Sequence, residues 1–221
     1  MKMFSRLATA ATLVVLFGST PLVAQDGRNP FRWYIGGGGG VTVFETPRQS
    51  RGAIAMGGAN MLITARRTAL LLGIDEGIGS DEQTSYIDPS ATGGSRIVTF
   101  NDLRKYSATL LVYPLKSHAQ PFVGVGVGLL HIVNPQPAGP FLTPDEQSNA
   151  RAVAKDLGSS AFASVVAGLQ LQVGAVALFG QYQLTSSPAD GRLLIGPTHS
   201  FTAGLRLSLG NAREGVSGGG Y

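Results

Sequence analysis

The feature that most constrains this chain is a two-residue alternation of apolar and polar side chains. It recurs in segment after segment and never lengthens into a long apolar run. Residues 199–209 show it best: Phe201, Ala203, Leu205, Leu207 and Leu209 share one parity, against Ser200, Thr202, Gly204, Arg206 and Ser208. Such a period of two marks a strand with two unlike faces. Residues 176–185 repeat it, with Val176, Leu178, Tyr182 and Leu184 against Gln181, Gln183 and Thr185. Residues 161–180 form the longest mostly apolar region. As a helix that region would aim Gln170 and Gln172 about 200° apart and force an amide into an apolar surround. As a strand it puts both glutamines on one face with Ser164.

Composition narrows the choice. Charged residues are only 14% of the chain, where a soluble domain carries about a quarter, and the mean hydropathy is +0.16. A helical membrane protein needs runs of about 20 apolar residues, and none follows the N-terminus. The 31 glycines show no three-residue period, and no cysteine is present, which excludes collagen, a disulfide scaffold and thiolate chemistry. Residues 1–24 read as a secretory signal peptide: Lys2 and Arg6, an apolar stretch from Leu7 to Phe17, and the small-residue site Leu22-Val23-Ala24. Removing Lys2 and Arg6 lowers the formal charge from +4 to +2. With no basic cluster longer than Arg66-Arg67 or Arg104-Lys105, nucleic acid is not an expected partner.

The alternation predicts eight strands, near 33–44, 52–63, 68–78, 97–113, 121–133, 160–172, 175–185 and 199–209. Short connections at 64–67, 114–120 and 173–174 alternate with longer ones at 45–51, 79–96, 134–159 and 186–198. Tight turns at one end and long loops at the other predict an all-β fold, an eight-stranded antiparallel up-and-down transmembrane β-barrel. It spans residues 25–209 and is followed by a glycine-rich tail at 210–221.

Three stretches carry a family resemblance: Trp33-Tyr34-Ile35-Gly36-Gly37-Gly38; Tyr113-Pro114-Leu115 followed by Gln120-Pro121-Phe122-Val123-Gly124-Val125-Gly126-Val127-Gly128; and Ala203-Gly204-Leu205-Arg206-Leu207. In these the chain resembles the OmpA-type eight-stranded outer-membrane barrel family, as the barrel alone, with no peptidoglycan-binding domain expected. The resemblance implies a bacterial outer-membrane location, with outer-membrane lipid and the barrel assembly machinery as partners. It departs from the family at the closing strand, which ends at Leu209 without a terminal aromatic residue.

Since lipid offers no hydrogen bonds, the polar parity must face inward. The predicted lumen network comprises Asn60, Asp75, Gln170, Gln172, Gln181, Gln183 and Arg206, with Thr109, Thr202 and Ser208 on the same faces. Asp75 and Arg206 are the charges placed there. Trp33, Tyr106, Tyr182 and Phe201 fall on the lipid parity near strand ends, as interfacial aromatics do. No catalytic residue, metal site or cofactor is expected. The adjacent His199 and Ser200 point to opposite faces of a strand; His118 and His131 are scattered. Gly36 to Gly40 lacks the Lys and helix of a phosphate loop. The expected role is structural, or binding of an extracellular ligand at loops 79–96 and 134–159. A narrow pore for small solutes and a soluble lipocalin-like carrier of apolar ligands are the alternatives.

Overall fold

The computed structural model describes residues 31–79, 81–115 and 117–211. The expected signal peptide, and the tail beyond Asn211, lie outside them. Eleven strands are formed among the described residues: β1 (Phe31–Thr46), β2 (Gln49–Ala65), β3 (Thr68–Ile78), β4 (Glu82–Ile87), β5 (Ser95–Phe100), β6 (Asp102–Val112), β7 (Ala119–Val133), β8 (Gln136–Pro137), β9 (Ser159–Val173), β10 (Val176–Thr185) and β11 (Ile195–Asn211). One helix, α1 (Pro144–Leu157), precedes β9. Eight strands close an antiparallel barrel in the order β1-β11-β10-β9-β7-β6-β3-β2, and β4, β5 and β8 make a separate three-stranded sheet. The closed eight-stranded antiparallel barrel read from the alternation is the one observed.

The alternation survives in the register. Pairings such as Gly36↔Asn60, Gly58↔Asp75, Asp75↔Lys105 and Phe179↔Gln170 join inward residues to inward residues. Glycine serves this closure where two strands come within contact of each other. A Cβ on Gly36 would collide with the Leu205 carbonyl and the Arg206 side chain, and one on Gly40 with the Phe201 carbonyl.

Several expected boundaries are corrected. The loop expected at 79–96 holds β4 and the start of β5, and the connection expected at 186–198 ends where β11 begins, at Ile195. The connection placed at 45–51 is a two-residue turn, Pro47-Arg48, because Thr46 Oγ1 accepts from the amides of Arg48 and Gln49 and lets both strands run on. The single strand expected at 97–113 breaks at Asn101 into β5, which joins the outer sheet, and β6, which joins the barrel. The loop expected at 134–159 contains α1, started by Thr143, whose hydroxyl accepts from the Glu146 amide at 3.2 Å, and by Pro144 in the first turn.

The small sheet and α1 stand over the long-loop end and are tied to it by hydrogen bonds. Thr84 Oγ1 donates to the Leu193 carbonyl at 2.6 Å, and Thr46 Oγ1 to the Gln83 carbonyl at 2.8 Å. A continuous apolar core joins this cap to the barrel, through Phe44, Ile54, Phe100, Leu103, Ile132 and Leu193. A second apolar cluster closes the turn end, with Tyr34, Leu62, Leu111, Tyr113, Phe122 and Val166.

Candidate functional site

Between the two apolar clusters lies a polar belt with two buried cations. Arg206, on β11, is fully buried. Its Nε donates to Asn60 Oδ1 at 2.8 Å and its Nη1 to Gln170 Oε1 at 3.0 Å, and the guanidinium lies 3.8 Å from the centre of the Phe179 ring. Neutral amides and an aromatic face therefore hold this charge, with no carboxylate in contact among the described residues. The weakly hydrated, planar guanidinium suits such a seat.

The second cation is Lys105, on β6. Its Nζ donates to Gln183 Oε1 at 2.9 Å and to Ser200 Oγ at 3.3 Å, and it sits 3.3 Å from Asp75 Oδ2. Gln183 Nε2 donates on to Ser164 Oγ, and Ser200 shares a hydrogen bond with Thr42. With Asn60 of β2 on Arg206, the belt thus links β1, β2, β3, β6, β9, β10 and β11. A cavity of about 20 Å³, walled by Asp75, Thr109, Gln181, Gln183 and Thr202 among others, separates the two cations; it has room for about one water.

This arrangement corrects the expected network in three respects. Lys105, which sequence reasoning missed, adds a third inward charge to the two expected there and pairs with Asp75. Gln172 faces inward but stands apart, donating to the Gly174 carbonyl at the β9–β10 turn at 2.7 Å. Gln181 faces the cavity with its Oε1 buried and without a hydrogen-bond partner. The interior is also less polar than expected. Leu62, Leu71, Leu111, Phe122, Phe162, Val166 and Phe179 share the inward parity, because a narrow eight-stranded interior must be filled by side chains of whatever polarity packs.

The outward faces carry large apolar side chains open to the surroundings: Ile35, Leu110, Val123, Val125, Val127, Val165, Leu169, Leu205 and Leu207. Tyr106 and Phe201 are exposed on this face and Trp33 half-buried. Tyr182 packs on Phe201, ring centres 4.9 Å apart, and its hydroxyl meets His199 Nδ1 at 2.7 Å. His199 is thereby on the outer face, while Ser200 is buried inside against Thr42, so the pair makes no nucleophile–base contact. Outward polar residues gather toward the long-loop end, where Glu76 on β3 and Arg104 on β6 pair at 2.5 Å.

In the cap, Arg96 on β5 is the organising charge. It is buried, with Nε on Asp88 Oδ2 at 2.5 Å, Nη2 on Glu146 Oε1 at 2.8 Å, and its guanidinium over the Phe141 ring. It therefore fastens the β4–β5 hairpin to the first turn of α1. The hydrogen bonds from Ser90 and then Arg96 hold the Asp88 carboxyl below its usual range; the Leu142 amide and then Arg96 do the same for Glu146. Depressed carboxyl pKa values stabilise the cap above the unfolded-state range near pH 4, and that stabilisation is lost as pH falls through the folded values. Hydrogen exchange at the α1 amides, corrected for intrinsic rates, should match between pH 7 and 5 and accelerate below about pH 4. The Arg96→Met variant should exchange fast throughout, and a wild-type cap equally protected at pH 2.5 would refute the clamp.

No family model matches the sequence, and no curated protein matches it. Solved structures do match the fold. Neisserial surface protein A aligns with a TM-score of 0.51 at 10% identity, over 79% of this chain and 96% of that one. The N-terminal β-barrel domain of Pseudomonas aeruginosa OprF aligns with a TM-score of 0.43 at 10% identity, over 80% and 96%. At this identity the likeness to the first is one of fold: a closed eight-stranded antiparallel barrel.

Proposed function

We propose that this chain is an integral protein of a bacterial outer membrane, a barrel with a filled interior that displays its cap of β4, β5, β8 and α1 outside the cell. The observation that carries this reading is the outward apolar band. On β10 and β11 it runs nine residues, from Val176 to Leu184 and from Phe201 to Leu209. Nine residues at about 3.3 Å rise and about 40° tilt span about 23 Å, close to the apolar height of an outer-membrane barrel. Outer-membrane lipid then covers the band, and the barrel assembly machinery is the partner that inserts it. The cap, built largely from segments 79–96 and 134–159, is the surface left for an external ligand; Ile87 and Leu142 stand open on it.

Two apolar clusters and a cavity the size of one water argue against a solute pore, and leave no room for the several-hundred-Å³ ligand of a lipocalin-like carrier. Detergent-extracted protein should migrate faster on a gel unheated than boiled and give no steady conductance in a planar bilayer. A chain that stays folded and soluble without detergent would refute the membrane reading; stable single-channel steps would replace the plugged barrel with a pore.

A further inference from the structure

The row Ile74–Tyr106–Leu129 crosses β3, β6 and β7 on the outer face, and the row Glu76–Arg104–His131–Ser159 lies directly above it, extended onto β9. Below the polar row the wall is concave: a shallow groove of about 550 Å³ where Ala59, Gly73, Ala108 and Gly128 leave room among Ile35, Ile74, Tyr106 and Leu129. Above it lies a pocket of about 520 Å³ walled by His131, Asn134, Gln136, Arg151 and Lys155. Arg151 and Lys155 are one helical turn apart on the exposed side of α1, about 6 Å along its axis. His131 stands two residues, about 7 Å, above Leu129 on the outward face of β7, so groove and pocket share a strand.

We propose that this wall is a binding site for one lipid with a phosphate-bearing headgroup. The phosphate sits among Arg151, Lys155 and His131, and an acyl chain fills the groove below. The inference rests on the membrane reading and goes beyond it by naming which lipid is held, and where.

Charge complementarity selects the headgroup. No carboxylate walls the pocket, and the nearby acids are engaged elsewhere: Glu76 by Arg104, and Asp156 by Arg192 at 3.7 Å. Asp102, opposite Val133, remains at the rim. His131 Nδ1 is fixed by Ser159 Oγ at 2.7 Å, which leaves its other ring nitrogen free to turn outward. A groove alone would accept any acyl chain; the cations above it distinguish a phosphomonoester from a zwitterionic headgroup.

The full-length chain refolded into phosphatidylcholine vesicles containing a minor fraction of phosphatidic acid provides the test, with retained lipid read by native mass spectrometry. Phosphatidic acid should be retained about tenfold or more above its share of the bilayer. The Arg151→Gln/Lys155→Gln variant, altered only at exposed helix positions, should bring it back to that share. Ala108→Phe, which fills the groove from outside, should lower retention with the helix untouched. Excess inorganic phosphate should not displace the lipid. Retention at bilayer share in the wild type, or undiminished retention in the double variant, overturns the proposal. So does displacement by phosphate combined with no effect of Ala108→Phe, which would make the pocket a site for free anions. A chain that never enters the vesicles overturns the membrane reading and this site together, a result distinct from insertion without selectivity.

Discussion

Replacing Asp75 with leucine is expected to destabilise the barrel by about 3–5 kcal/mol, although the substitution removes a charge from its interior. The reason is Lys105. Its ammonium is buried, and Asp75 is the carboxylate that it touches; Gln183 and Ser200 supply neutral acceptors. Removing the acid leaves a buried cation with only dipoles around it, and the penalty of an uncompensated charge falls on the folded state alone. If that account is right, the loss must be recoverable by removing the cation as well. The Asp75→Leu/Lys105→Met double variant should regain at least half of the lost stability, since apolar replacement of both members of a buried pair is often neutral or better. The recovery should stop short of a large gain, because Gln183 Oε1 then loses its donor. Urea unfolding of the refolded protein, followed by the fast-to-slow gel shift, gives the numbers. A single variant within about 1 kcal/mol of wild type, or a double variant no better than the single, would show that Lys105 does not depend on Asp75.

The pairing also shows where the sequence could be read and where it could not. Parity placed Asn60, Asp75, Gln170, Gln181, Gln183 and Arg206 on inward faces because one buried side of a strand fixes register for every residue on it. Parity says nothing about which inward residues meet, since partners come from strands far apart in the chain; Arg206 and Asn60 are 146 positions apart. Lys105 had a usable signal. It shares parity with Ser107 and Thr109 on the same strand, yet beside Asp102 and Arg104 it reads as one member of a solvated charge cluster. The apolar plugs were hidden for a different reason. Alternation separates two faces, and in so narrow a barrel the inner one need not be polar along its whole length. Phe122 and Phe162 break the polar pattern as isolated exceptions in sequence, and only closure of the sheet collects them into layers.

The cap was legible in part. Thr143-Pro144-Asp145-Glu146 is a helix start written in local chemistry, a capping hydroxyl, a proline in the first turn and early acidic residues, and Gly158 marks the end. The long spacing between barrel strands predicts a loop there, and polar residues of this kind suit a loop as well as a helix start. Arg96 had no such local mark. Its burial depends on Asp88, Phe141 and Glu146, brought together only when the hairpin folds over α1.

The second large effect is expected on the outside of the barrel, where a soluble protein would tolerate almost anything. Val125 lies on the outward face of β7, 63% exposed, between Leu110 of β6 and Val165 of β9. Ile87, at the end of β4, is 85% exposed on the cap. By exposure alone, arginine at either position should change stability by no more than about 0.5 kcal/mol. If the apolar band is covered by lipid, the two positions part company. Val125→Arg puts a guanidinium near the middle of the hydrocarbon layer, at a cost of about 2–4 kcal/mol in a barrel of this kind. Its side chain is long, yet reaching water from mid-band means crossing about half the apolar height, and Leu129 and the other residues above it offer no partner. Ile87→Arg stays in water and should remain neutral. Both variants, refolded side by side into phosphatidylcholine vesicles and titrated with urea, measure the difference between the two sites directly. A shift confined to Val125 ties the outward face to lipid through energetics. Equal, near-zero shifts at both sites would instead place the band in water and remove the physical basis for a membrane barrel.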